Sequence, residues 1–152
     1  ELKQCDLKNI IKIVEDLTKV YFECKNVEYI VESKANLKVL ADQDSLTAVL
    51  VNLVKNAVEA FGTENLSDEN GKYVKIKAEF AAIRIINNAG KINEPERIFE
   101  KGFTTKSGGS GLGLSICKKS IEEQLGQLKL EHTGDDYTEF LIKLGLIDGV
   151  RG

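Results

Sequence analysis

DSLTAVLVNLVKNAVEAFG, residues 44–62, runs for 18 residues without proline or glycine and stops at Gly62. That is the punctuation of a helix with glycine at its C-terminal end. Leu46, Leu50, Leu53, Val54 and Phe61 cover one side, while Asn52, Asn56 and Glu59 fall at i, i+4 and i+7 and share a stripe on the other. Asparagine is a poor helix former, and a solvent face is more often Lys, Glu or Ala. Taken alone, the stripe still reads as a tolerated polar face. Its meaning depends on what surrounds it.

Upstream, residues 7–24 place Leu7, Ile10, Ile11, Val14, Leu17, Val20 and Tyr21 at three- and four-residue spacing, an amphipathic helix. VEYIVES (27–33) and LKVLAD (37–42) read as short strands forming a hairpin. Downstream, TENLSDENGK (63–72) is polar and turn-rich, an exposed loop. YVKIKAEF and AIRIIN alternate apolar with polar residues and read as a strand pair, although the bend between them lacks the usual Gly or Asn. From Asn87 to Gly113 the chain reads as loop, with a short helix after Pro95. A third helix, from Ser115 to about Leu125, ends at Gly126, and LKLEH and TEFLIKLG supply two closing strands. This order suits an α+β two-layer sandwich: one mixed, mainly antiparallel sheet covered on one face by about three helices.

With 152 residues, 42% of them hydrophobic, and one proline, the chain has the size and apolar content of a single domain, residues 1–152. Lys and Arg (21) nearly balance Asp and Glu (24), for a net charge of −3, which argues against a nucleic-acid surface or a polybasic membrane patch. The three cysteines, Cys5, Cys24 and Cys117, show no CxxC spacing. An odd number without that spacing points to a reducing compartment. No segment approaches the roughly 20 apolar residues of a membrane span, and the first residues lack a signal-peptide pattern, so a soluble, cytoplasmic domain is expected.

GGSGLGLSICKK, residues 108–119, packs four glycines into six residues and turns directly into the third helix. Backbone N–H groups at such a junction form an anion site, favoured by the helix dipole and unobstructed by Cβ atoms. The Lys-Ser/Thr ending of a Walker A loop is missing, as is the strand-first setting of a dinucleotide fold, so the loop belongs to neither class.

Together these residues resemble the ATP-binding catalytic domain of sensor histidine kinases, within the gyrase, Hsp90, histidine kinase and MutL ATPase superfamily. DQDSLTAVLVNLVKNAVEAF (42–61) resembles its N box and IINNAGKI (85–92) its first glycine box. RIFEKGFTTK (97–106) resembles the F box, and GGSGLGLSICKKSIEEQLGQLKLEH (108–132) the second glycine box with its helix and strand. The likeness extends from about Leu7 to Leu144, with four motifs in order. It implies a Bergerat-type fold that binds ATP and Mg2+.

Carried over residue by residue, the resemblance makes Asn56 the Mg2+ ligand through its side-chain carbonyl. It puts Asn52, the residue assigned a catalytic role, beside the phosphates. Mg2+ favours hard oxygen ligands and is commonly shared between one protein oxygen and the phosphates. Glu59 and Ala60 stand where many relatives have Lys or Tyr, leaving Lys55 and Lys106 to supply positive charge, with Lys106 favoured. In the first glycine box Asn87 occupies the position of an Asp that accepts from the adenine amino group. Ala89 and Lys91 occupy glycine positions, with Gly90 and Ile92 alongside. An Asn offers an acceptor and also a donor, so weaker or less selective nucleotide binding is expected. The stretch RIFEKGFTTKSGGSG becomes an ATP lid, with Phe99 and Phe103 pinning its base and Thr104, Thr105 and Lys106 at the β- and γ-phosphates. Gly109, Gly111 and Gly113 would hinge it and offer N–H donors, with Ser110, Leu112 and Leu114 lining the same turn. Thr138 matches a small hydroxyl residue near the adenine.

His132, the one histidine, sits in a strand without a phosphoacceptor signature, and a structural role is expected. The implied function is transfer of the ATP γ-phosphate to a histidine on a separate helical dimerisation domain, in cis or in trans, for relay to a response regulator. The helical hairpin carrying that histidine is absent from this sequence, and the isolated domain is expected to be monomeric, without membrane contact of its own. Two alternatives stay open: a serine kinase of anti-sigma-factor type, and a nucleotide-sensing module without catalysis. A water-activating ATPase is disfavoured because Asn52 stands where those enzymes carry a general-base Glu.

Overall fold

The computed structural model describes residues 1–33, 37–62, 71–102 and 113–146. In chain order these form β1 (Lys3–Asp6), α1 (Leu7–Lys25), β2 (Glu28–Ser33), β3 (Lys38–Ala41), α2 (Gln43–Glu59), β4 (Tyr73–Glu79) and β5 (Ala82–Asn87). A single 3-10 turn (Pro95–Arg97) follows, then α3 (Gly113–Glu123), β6 (Gln127–Thr133), β7 (Thr138–Lys143) and β8 (Gly145–Leu146).

Helix α1 starts at Asp6, whose carboxylate accepts the Lys8 N–H at 3.0 Å, and ends at Asn26 in the left-handed region, φ 56°. It buries Leu7, Ile10, Ile11, Val14, Thr18 and Phe22. Leu17 and Val20, expected on that face, are each 57% exposed. At 3.6 residues per turn the buried row passes from Val14 to Thr18 and Phe22, and the Thr18 hydroxyl becomes tolerable by donating to the Val14 carbonyl at 2.8 Å.

Helix α2 follows the sequence reading closely. Leu46, Leu50, Leu53, Val54 and Phe61 are all buried, and Asp42 caps the start by accepting the Ser45 N–H at 3.0 Å. It lies against α1, α3, β4 and β5. Burying a Leu or Val side chain contributes about 1.5–3 kcal/mol, so this row dominates the local packing energy.

The main sheet has five strands in the order β2-β4-β5-β7-β6, with β2 parallel to β4 and every other pair antiparallel. Its helix-covered face carries Val74, Ile76, Ala78, Ile83, Ile85, Phe140 and Ile142. On the opposite face Arg84 reaches Glu79 at 3.2 Å and also pairs with Glu139.

A second sheet, β1-β3-β8, has three antiparallel strands. The hairpin expected for residues 27–33 and 37–42 is therefore corrected: β2 and β3 belong to different sheets. β2 is an edge strand whose ladder begins with the Glu28 N–H on the Lys72 carbonyl at 2.8 Å. β3 is central in its own sheet, where Val39 and Ala41 are fully buried.

The β4–β5 bend closes in two residues, Phe80 and Ala81, in register from Glu79↔Ala82 onward. Ala81 takes the left-handed conformation, φ 61°, that glycine would adopt more cheaply. Its carbonyl accepts the Leu144 N–H at 2.9 Å, which holds the turn against β7. After α3, Leu125 takes the left-handed position, φ 67°. Gly126 is required for closeness instead, because a Cβ there would lie 2.4 Å from the Lys143 carbonyl oxygen.

Candidate nucleotide site

Two groups of residues define the site. The first joins α2 to α3. Asn52 is half-buried on α2, and a Cβ at Gly113 would stand 3.4 Å from its Oδ1 and 3.5 Å from its Nδ2. The first residue of α3 thus lies close to the Asn52 amide, bringing the polar stripe to the positive end of that helix. At the far end the Asp42 N–H donates to Gln124 Oε1 at 2.9 Å, and Gln124 is buried. Asn56 and Glu59 continue the stripe, each half-buried. Lys55 leaves it: its ammonium stands 5.4 Å above the Tyr21 ring of α1. Leu114 packs against the core.

The second group gathers where β5 ends. Asn87 is 5% exposed, and its Oδ1 accepts the Ala89 N–H at 2.9 Å. In the sheet register Asn87 sits opposite Thr138. The Thr138 hydroxyl donates to the Gly90 carbonyl at 2.9 Å and lies 2.8 Å from the Thr133 hydroxyl, which accepts the Ile92 N–H at 2.9 Å. With the Thr138 proton engaged on Gly90, the Thr133 proton must point to Thr138. The chain runs in one direction, from the Ile92 N–H through both hydroxyls to the Gly90 carbonyl. It fixes the loop after β5 to the β6–β7 hairpin, with Gly90 at φ 117° and Ala89 and Ile92 packed on the core.

Asn87, Ala89, Gly90, Ile92 and Thr138 are thereby brought together, as are Asn52 and Gly113. Thr133 and Asn88 escaped the sequence reading. Asn88 accepts the Tyr73 N–H at 2.9 Å and donates to the Gly71 carbonyl at 2.8 Å, tying the loop to β4. The signal for Thr133 was its symmetry with Thr138 about the hairpin turn. Phe103, Thr104, Thr105, Lys106, Gly109, Ser110, Gly111 and Leu112 lie outside the described residues. Phe99 meets Phe140 edge-on at 6.3 Å, with the Lys118 ammonium 5.5 Å above its ring.

The remaining reactive groups have structural surroundings. His132 contacts Asp136 at 3.0 Å and stacks on Tyr137 at 4.1 Å. That hydrogen bond holds the Asp136 carboxyl below its ordinary value. Burial pushes the Cys117 thiol up to about 11, far from nucleophilic thiolate. Among the described residues no group of three or more His, Cys, Asp or Glu side chains could hold a metal ion, and no helix is long and apolar enough to cross a membrane.

Residues 41–147 match the family model of the histidine kinase-, DNA gyrase B- and HSP90-like ATPases. The chain is 30% identical over 151 residues to sensor histidine kinase ZraS of Escherichia coli O157:H7, covering 92% of this chain and 31% of that protein. Among solved structures, the catalytic domain of histidine kinase ThkA superposes with a TM-score of 0.77 at 30% identity over 95% of both chains. Histidine kinase ThkA in complex with response regulator TrrA gives 0.74 at 28% identity, over 99% of this chain and 43% of that one. The chain spans about a third of the length of the sensor kinases it matches.

Proposed function

The chain belongs to the histidine kinase-, DNA gyrase B- and HSP90-like ATPase family, as an ATP-binding domain of the sensor histidine kinase type, and we propose that it binds ATP with Mg2+ and delivers the γ-phosphate to a histidine on a helical partner domain. The phosphoryl group would pass from there to a response regulator. The observation that carries this reading is the close approach of Gly113 to the Asn52 amide, where an added Cβ would stand 3.4 Å from Oδ1. It sets the glycine-loop end of α3 against the double-Asn stripe, as a phosphate-holding site needs.

The residues fit both groups. A half-buried amide oxygen suits an ion that shares its coordination with phosphates and water. Asn56 would hold the Mg2+, which supplies neutralisation of phosphate charge. Asn52 would orient the phosphates, and the α3 N-terminus adds favourable potential. Asn87, held by the Ala89 N–H, would read the base, and the Thr133–Thr138 chain would keep the base-side loop in place. Phosphoryl transfer depends mainly on positioning and charge stabilisation, which these residues would provide; the nucleophile and any base acting on it would come from the partner domain.

Calorimetry with ATP and ADP, with and without Mg2+, tests the reading. Binding should depend on magnesium and weaken at least about tenfold in Asn56→Ala, the loss of one oxygen ligand. Absence of binding at millimolar nucleotide, or an Asn56→Ala variant with the same magnesium dependence as the parent, would refute it.

A further inference from the structure

Helix α1 keeps an apolar row on its outer side. Ile13, Leu17 and Val20 are 38%, 57% and 57% exposed, and Cys24 is exposed with them. At about 100° per residue the four fall within about 60° of one another. They are turned away from the buried row Leu7, Ile11, Val14, Thr18 and Phe22. Their spacing of four, three and four residues is the narrow seam of a helix that pairs with another helix. The two flanks of this seam differ. One is closed, because Ile10 is buried and the Lys55 ammonium of α2 stands 5.4 Å above the Tyr21 ring. The other carries Lys12, Asp16, Lys19 and Glu23, all exposed. Lys12 reaches Asp16 at 3.5 Å, while Lys19 and Glu23 have no ion-pair partner among the described residues.

From N- to C-terminus the charged flank alternates plus, minus, plus, minus, so in the reverse direction it reads minus, plus, minus, plus. A second α1 laid antiparallel would set Lys12 opposite Glu23 of the second copy and Asp16 opposite Lys19 of the second copy. The two-fold axis completes the reciprocal pairs. Antiparallel pairing also brings charged flank to charged flank and closed flank to closed flank, whereas a parallel copy would put the charges of one helix against the closed flank of the other. We infer that the exposed face of α1 is a self-association surface on which a second copy of this chain docks antiparallel, with Leu17 and Val20 at its centre. The seam is about 17 Å long, which places it among small and weak interfaces. This pairing departs from the monomer expected from the sequence and does not depend on the reading of the nucleotide site.

Sedimentation velocity of the full chain from about 10 µM to about 1 mM covers the range of weak association. The mean mass should rise toward that of a dimer. Leu17→Glu should weaken association at least about tenfold and, being a surface change, leave the thermal midpoint near that of the parent. Asp16→Lys alone should weaken association by setting like charges opposite each other, and adding Lys19→Asp should restore it. Crosslinking reads the direction. In the antiparallel pair the two Cys24 thiols lie roughly 15–20 Å apart, whereas Ile13 of one copy lies beside Cys24 of the other. Diamide should therefore link Ile13→Cys into a covalent dimer and leave the parent, whose other two cysteines are buried, unlinked. A parent that crosslinks through Cys24 as fast as Ile13→Cys overturns the antiparallel arrangement. A double charge variant no better than Asp16→Lys overturns the charge pairing. A chain monomeric at about 1 mM, or a dimer indifferent to Leu17→Glu, overturns the proposal and leaves the row to a helix of a different protein.

Discussion

Replacing Thr138 by Val keeps the shape of a side chain 2% exposed and removes the hydroxyl at the middle of the chain from the Ile92 N–H to the Gly90 carbonyl. Two hydrogen bonds disappear, the donation to Gly90 and the acceptance from Thr133. Each is worth about 1 kcal/mol net, and a buried partner left unmatched costs about 1–3 kcal/mol. Because Gly90 is only partly buried, the cost falls at the low end of that range and the expected loss is about 2 kcal/mol. Thr138→Ser keeps the hydroxyl and removes a methyl, for about 1 kcal/mol. Urea unfolding reads both as a shift of midpoint at constant slope. Thr133→Val with Thr138→Val completes a cycle that should show coupling of about 1 kcal/mol. A Thr138→Val protein within about 0.5 kcal/mol of the parent, or strictly additive valines, would mean that the hydroxyls do not act as a chain.

The Tyr29 hydroxyl is buried without a partner among the described residues, while its ring packs 4.7 Å from Phe22. Tyr29→Phe should stabilise the fold by about 1 kcal/mol, and a thermal midpoint lowered by the change would contradict the burial argument. Gly126→Ala should destabilise by about 3 kcal/mol or more, since its Cβ would meet the Lys143 carbonyl at 2.4 Å, whereas Gly71→Ala, with nothing within 4 Å, should be near neutral. Equal midpoints for these two variants would disprove the close approach. The hydrogen bond with His132 holds the Asp136 carboxyl below its ordinary value in the folded state. Its contribution is therefore present above the unfolded value and lost as pH falls through the lower folded value. Carboxyl NMR titration should show His132→Asn moving Asp136 upward, and an unmoved titration would rule out the pairing.

Helix α2 was legible in the sequence because its evidence is local. Leu46 to Phe61 repeat at helical spacing and Gly62 ends the pattern. The alternation in β4 and β5 was legible for the same reason. What escaped depends on pairing between distant residues. β1 and β8, four and two residues long, are too short for a periodic signal, and they meet β3 from opposite ends of the chain. The hairpin reading of β2 and β3 relied on proximity in sequence, whereas β2 pairs with β4 across more than forty residues, Glu28 with Tyr73. Within the site, the residue types at 52, 56, 87 and 138 were visible through the family resemblance. Thr133 was not, because its role exists only once the register sets it opposite Thr138. The orientation of the Asn87 amide was equally invisible, since a backbone N–H two residues later decides it.

The two contacts between α2 and α3 have a consequence for how this fold tolerates change in length. Asn52 meets Gly113 near one end and Asp42 meets Gln124 at the other, spanning about 15 Å of α2 and about 16 Å of α3. α3 is thus a strut bolted at both ends, and residue 113 has a fixed address in space. Phe99, seated on Phe140, fixes the other bank. A one-residue insertion within α3 would turn one of its ends by about 100° and shift it by about 1.5 Å, so the helix could then keep only one of its two contacts with α2.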